Sequence, residues 1–198
     1  MRFLAVFMLL CALPASASSE AAAVRARYAL RRGDHVEHLE LVRVGDRVAH
    51  TFVERGVREL WQRDARGELE HWRAYPAEGT SVHYTPGDLR TIRMWPRWDT
   101  LTQLISSAEL ATFKPSKKGT LEGTLRGQLA RVQWREDVAL PKRIVLGKLT
   151  MELLSVEPAS AVEGDTLRSI EFADLGDMEH DPFVRRFLAH NHHDHPLH

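Results

Sequence analysis

Cysteine is nearly absent. Its one occurrence, Cys11, falls within the first 20 residues, so a chain trimmed there carries no thiol. That excludes disulfide stapling, thiol catalysis and cysteine-ligated metal. Lysine is scarce too, with 5 Lys against 22 Arg. Neither sign of charge prevails, since 27 basic residues face 27 acidic ones. Such a balance argues against nucleic acid as the main partner, because phosphate binding leaves a basic excess. No apolar run approaches the roughly 20 residues of a membrane-spanning helix. Gly-x-Ser-x-Gly, Walker and dinucleotide fingerprints are missing, as is His-Glu-x-x-His. Ser106-Ser107 falls inside a predicted helix, not on a strained turn that would expose a nucleophile. The chain reads as non-enzymatic, with no catalytic residue assigned.

What the chain does carry, first of all, is an export signal. Arg2 gives a positive start, Phe3 to Leu13 an apolar stretch, and Pro14 a break. Ala15-Ser16-Ala17 then matches the small-x-small cleavage pattern. Residues 1–17 are therefore expected to be a signal peptide and the mature chain to reside in a bacterial periplasm. Cys11 follows Leu9-Leu10, where lipid attachment needs a small residue, so no lipid anchor is expected there. An exported domain without disulfides stands on its core alone.

From Tyr28 onward, short alternating runs end in turn signals. Leu39 to Val44 closes at Gly45-Asp46, Val57 to Trp61 at Asp64 to Gly67, and Val82 and Tyr84 at Pro86-Gly87-Asp88. This spacing predicts a mainly β chain, a curved antiparallel sheet or half-barrel of roughly ten strands. The period changes after Asp99, a candidate N-cap, where Leu101, Leu104, Ile105, Ala108 and Ala111 recur at helical spacing. Phe113 to Gly119 reads as a loop, and the lysines between Lys114 and Lys118 as a solvated turn with peripheral contact to anionic headgroups as the alternative. Asp181-Pro182 opens a short C-terminal helix whose Phe183, Phe187 and Leu188 share one face. Residues 18–189 read as one domain and 190–198 as a flexible His-rich tail.

This order of strand meander, central helix and further strands, with Val132-Gln133-Trp134 and a Leu140-Pro141 turn among them, resembles the periplasmic lipoprotein-carrier half-barrel superfamily. The resemblance spans about residues 28–175 and lies in architecture and punctuation. It implies a curved sheet with a helix over its concave face and an apolar cavity between them. No diagnostic motif carries a functional residue across.

Two groups of residues are candidates for binding. Trp95-Pro96-Arg97-Trp98 stands at the entry to the central helix, where a lid would hinge. Trp95, Trp98, Leu101 and Ile105 are thus the candidate lining for an apolar ligand, with core filling as the plainer role. The second group is the tail, which holds five of the 11 histidines: His190, His192, His193, His195 and His198. Imidazoles this closely spaced suit Zn, Cu or Ni. The acidic stretch Asp174 to Asp181 lacks calcium-loop spacing. His35 and His38, three apart on a strand, face opposite sides. His50 and His71 fall in strand patterns, where a satisfied or solvated histidine is the default. The expectation is a non-enzymatic periplasmic binding or sensing protein that requires no cofactor. Its partner would be a hydrophobic, lipid-like ligand or an envelope protein. The alternative is metal handling by the tail.

Overall fold

The computed structural model describes residues 22–164 and 166–191, with the side chains of Lys118, His190 and Asn191 excepted. The expected signal peptide and residues 192–198 lie outside the described residues. Six strands come first: β1 (Val24–Arg32), β2 (His35–Val44), β3 (Arg47–Phe52), β4 (Val57–Arg63), β5 (Leu69–Tyr75) and β6 (Thr80–Tyr84). Three short helices follow, α1 (Pro86–Thr91), α2 (Trp98–Gln103) and α3 (Ser107–Leu110). Then come β7 (Lys114–Pro115), β8 (Thr120–Leu125), β9 (Gln128–Arg135), β10 (Leu140–Leu146), β11 (Leu149–Pro158), β12 (Arg168–Glu171) and α4 (Pro182–Asn191).

All twelve strands form one open, curved sheet in the order β12-β6-β5-β4-β3-β2-β1-β11-β10-β9-β8-β7. β1 to β6 form one meander and β7 to β11 another, antiparallel pairing of β1 with β11 joins them, and β12 adds to the β6 edge. Two-residue loops make the tight hairpins. Gly33-Asp34 links β1 to β2, and Gly33 sits at φ +63, a left-handed turn position that costs glycine nothing. The fold is mainly β, as the turn spacing predicts, with β12 lying parallel to β6. No helix among the described residues is long and apolar enough to cross a membrane.

The mid-chain helical region departs from the sequence pattern. One helix was expected through Ala111, but the segment breaks at Leu104, which adopts φ +66. The cause is a capping box. Ser106 Oγ accepts from the Glu109 N–H at 3.1 Å and Glu109 Oε2 accepts from the Ser106 N–H at 3.2 Å, which starts α3 afresh. Asp99 is not the cap of α2, a place taken by Arg97; its carboxylate accepts from the Ser107 N–H at 2.9 Å. A second capping box, Thr85 with Asp88, turns the Pro86-Gly87-Asp88 signal into the start of α1. The C-terminal helix follows expectation: Asp181 Oδ1 accepts from the N–H groups of Phe183 and Val184 at 2.8 and 3.2 Å. Phe183, Val184 and Phe187 are buried, and Tyr75 meets both phenylalanine rings edge-on. α4 continues through His190 and Asn191, two residues into the segment read as tail.

Strand alternation divides the sheet into two faces. The inner face carries the main core, which includes Val24, Ala26, Tyr28, Leu39, Leu41, Val48, Leu89, Leu101, Ile105 and Val132. Burying a leucine or isoleucine this fully contributes about 2–3 kcal/mol. On the outer face Val42, Ala49 and Leu60 form a second cluster with Val162, so the link between β11 and β12 crosses that face. Arg58 donates to the Glu163 carbonyl and fastens this crossing.

Candidate functional site

Register lines up two cross-strand rows on the inner face. The first runs Val24, Arg43, Val48, Trp61, His71 and Tyr84 from β1 to β6. The second runs Ala26, Leu41, His50, Glu59, Arg73, Val82 and Ile170 from β1 to β12. Five polar side chains thus stand on the face that builds the core. A buried polar group costs free energy unless it finds a partner, so each one demands an account.

Arg43 is 2% exposed, and among the described residues its hydrogen bonds go to main-chain oxygens and not to a carboxylate. Its Nε donates to the Ala22 carbonyl at 3.0 Å, and its Nη groups donate to the carbonyls of Thr102, Val138 and Ala139. Burial still holds its pKa below the ordinary arginine value. His50 Nε2 donates to the Leu101 carbonyl at 2.8 Å, which fixes its tautomer, because a carbonyl only accepts. Burial pushes its pKa down, which keeps the ring neutral. Leu101 and Thr102 belong to the last turn of α2, where helical carbonyls lack intrahelical partners. The inner face therefore grips the end of α2 at two consecutive carbonyls.

The next two strands behave differently. Trp61 and His71 stack face to face with centroids 4.0 Å apart, and Tyr84 stacks on the other side of His71 at 5.2 Å. Phe172 continues the stack at 4.7 Å from Tyr84. Among the described residues neither ring nitrogen of His71 has a hydrogen-bond partner, nor do Trp61 Nε1 and Arg73 Nε, although all four atoms are buried. Burial first, and the Arg73 charge second, lower the His71 pKa to about 3. Glu59 faces Arg73 in the register of β4 and β5. The helix α1 packs on β5 and β6, over this part of the face.

The aromatic and aliphatic residues singled out from the sequence are split by the fold. Leu101 and Ile105 are buried in the core, at 7% and 0% exposure. Trp98 is half-buried beneath the Arg63 guanidinium, 4.7 Å from its ring centroid. Trp95 is 44% exposed, with Arg90 over its ring. Two surface grooves lie elsewhere. One of about 630 Å³ runs beside β8 and is lined by Ala108, Glu109, Thr112, Lys114, Glu122 and Thr124. Another, of about 460 Å³, opens on the outer face around Val42, Ala49 and Val57.

Among the described residues no group of three His, Cys, Asp or Glu is placed to hold a metal ion. Of the five tail histidines, His190 lies on α4 and His192, His193, His195 and His198 fall outside the described residues. His35 and His38 do not share a site: His35 pairs with Glu37 and His38 with Glu54. The polar set Arg43, His50, His71 and Arg73 was not assigned from the sequence. Its signal is the in-facing parity of β2 to β5, which exists only once the register is known.

No known protein family matches the sequence, and no curated protein matches it at a significant level. Among solved structures 14 chains match. One of them, PNGF-II, shares 12% identity and a TM-score of 0.44 over 80% of this chain and 32% of its own. The present chain thus spans about a third of the length of that protein.

Proposed function

We propose that this chain is a non-enzymatic periplasmic binding protein that holds a lipid-like, largely apolar ligand between the inner face of its sheet and the cover formed by α1, α2 and α3. One observation carries this reading. The cover consists of helices of six, six and four residues, linked through the left-handed residues Arg93 and Leu104. Helices that short are not stable alone. Their arrangement depends on what they pack against and on the bonds from Arg43 and His50. Such a cover can lift and repack around a guest while the twelve-stranded sheet stays intact. The apolar lining it would offer is its own buried Leu89, Leu101 and Ile105, displaced from the inner face to contact the ligand instead.

Native mass spectrometry of the untagged mature protein, purified gently from its own periplasm, tests the reading. The expected result is an adduct of lipid-like mass that is lost on denaturation. A bare protein that also fails to bind an apolar fluorophore such as N-phenyl-1-naphthylamine would remove its basis. Stoichiometric zinc, copper or nickel, lost when residues 190–198 are deleted, would assign the function to the tail instead.

A further inference from the structure

Trp61 Nε1–H and Arg73 Nε–H are obligate donors, which no change of tautomer or rotamer turns into acceptors. Both are buried without a partner, as are the two nitrogens of His71. The three side chains are neighbours: Trp61 and His71 stack across β4 and β5, and Arg73 follows His71 two residues along the same face. Glu59 stands opposite Arg73 in the register, so the patch sets one acidic side chain against one basic side chain.

We propose that this patch is the head-group site for the ligand enclosed by the cover, and that it takes uncharged oxygen acceptors: an ester or amide carbonyl adjoining an apolar chain. The inference rests on the binding reading above and gives that ligand its chemistry. A purely apolar guest leaves the donors unpaired, at the cost of their lost hydration. A carboxylate or phosphate head meets Glu59 as well as Arg73, and must shed a far larger hydration shell to enter. A carbonyl oxygen pairs with the indole and guanidinium donors and brings no net charge. The Trp61–His71–Tyr84–Phe172 rings cover one another's faces, so the stack presents its ring edges to the adjoining chain.

The test uses the mature full chain with N-phenyl-1-naphthylamine as reporter. It is displaced in turn by 1-monooleoylglycerol, by 1-O-oleylglycerol, which keeps the chain and glycerol but has an ether in place of the ester, and by oleate. The ester is expected to compete about tenfold better than the ether or the carboxylate, the worth of one well-made buried hydrogen bond. In Arg73→Met that advantage disappears while the affinity of the ether stays, whereas His71→Phe, which keeps both donors and the stack, retains it. As a readout independent of these variants, the Trp61 indole ¹⁵N–H resonance, assigned with Trp61→Phe, moves downfield on adding the ester but not the ether. Equal competition by ester and ether, or an unmoved Trp61 resonance, overturns the head-group site and leaves the binding reading standing. Oleate as the tightest competitor overturns it in favour of an anion site. A reporter that does not bind, with none of the three lipids detected by native mass spectrometry, overturns both.

Discussion

Arg43 and His50, diagonal neighbours on β2 and β3, donate to the consecutive carbonyls of Thr102 and Leu101 at the end of α2. Two side chains of the sheet therefore complete a helix end that the helix cannot complete itself. Arg43 reaches further, to Ala22 and to the turn at Val138 and Ala139. One guanidinium thus ties together the residue pair before β1, the cover and the β9–β10 turn.

Removing that tie should loosen the cover before the sheet. Arg43→Met leaves several buried carbonyls unpaired and is expected to destabilise the fold by about 2–3 kcal/mol. Hydrogen exchange is expected to quicken first across residues 98–113. Exchange that speeds up uniformly over β1 to β6 as well would count against a separable cover.

His71 predicts the opposite sign. Phenylalanine keeps the stack between Trp61 and Tyr84 and removes two buried nitrogens that have no partner. His71→Phe is expected to raise stability by about 1 kcal/mol, read as a higher urea midpoint with an unchanged m-value. A substantial loss would mean that a partner for the imidazole exists in solution.

Acid should destabilise the protein in a defined window. The His71 pKa lies near 3 in the fold against an ordinary 6.5, and that of His50 is shifted the same way. Unfolding therefore takes up a proton at His71 between those limits. Stability is full above about pH 6.5 and falls as pH drops towards 3, by about 1.4 kcal/mol per pH unit for His71, and His50 adds to the loss in the same direction. Carboxylates held low, such as Asp99 and Asp181, add their loss only below the ordinary carboxylate range. Urea titrations at pH 5 to 7 should therefore give a slope that drops by one proton in His71→Phe. An identical slope in that variant would refute the assignment.

Phe113 packs directly on Gly123. A Cβ at that glycine would lie 2.7 Å from Phe113 Cγ and 3.1 Å from its Cα, so the ring must move and the backbone give by a few tenths of an ångström. Gly123→Ala is expected to cost about 2–3 kcal/mol in chemical denaturation. A neutral effect would show that the end of the cover can shift freely at that point.

The four residues proposed from sequence as a ligand lining should separate in a stability test. Ile105→Ala empties a fully buried position and is expected to cost about 3 kcal/mol. Trp95→Ala removes a side chain that is 44% exposed and should stay within about 0.5 kcal/mol. Matching values in thermal melts would contradict their different burial.

The sequence by itself determined the elements whose signals are local. Alternation closed by Gly-Asp and similar turns fixed the meander, because a strand's period of two and a two-residue loop are read from neighbouring residues. Asp181-Pro182 fixed the start of α4 in the same way. Even the break at Leu104 was present locally, in the Ser106-x-x-Glu109 capping box, but the apolar spacing from Leu101 to Ala111 masked it. Only the tertiary structure decided the site. Arg43, His50, His71 and Arg73 are four polar residues in three strands, and nothing in their spacing distinguishes an inner face from an outer one. Pairing register sets that parity, and it joins residues up to about 30 positions apart into one row. Which of them found a partner then depended on where α2 came to rest: its two carbonyls satisfied Arg43 and His50, and no such group reached His71 or the neighbouring donors of Trp61 and Arg73.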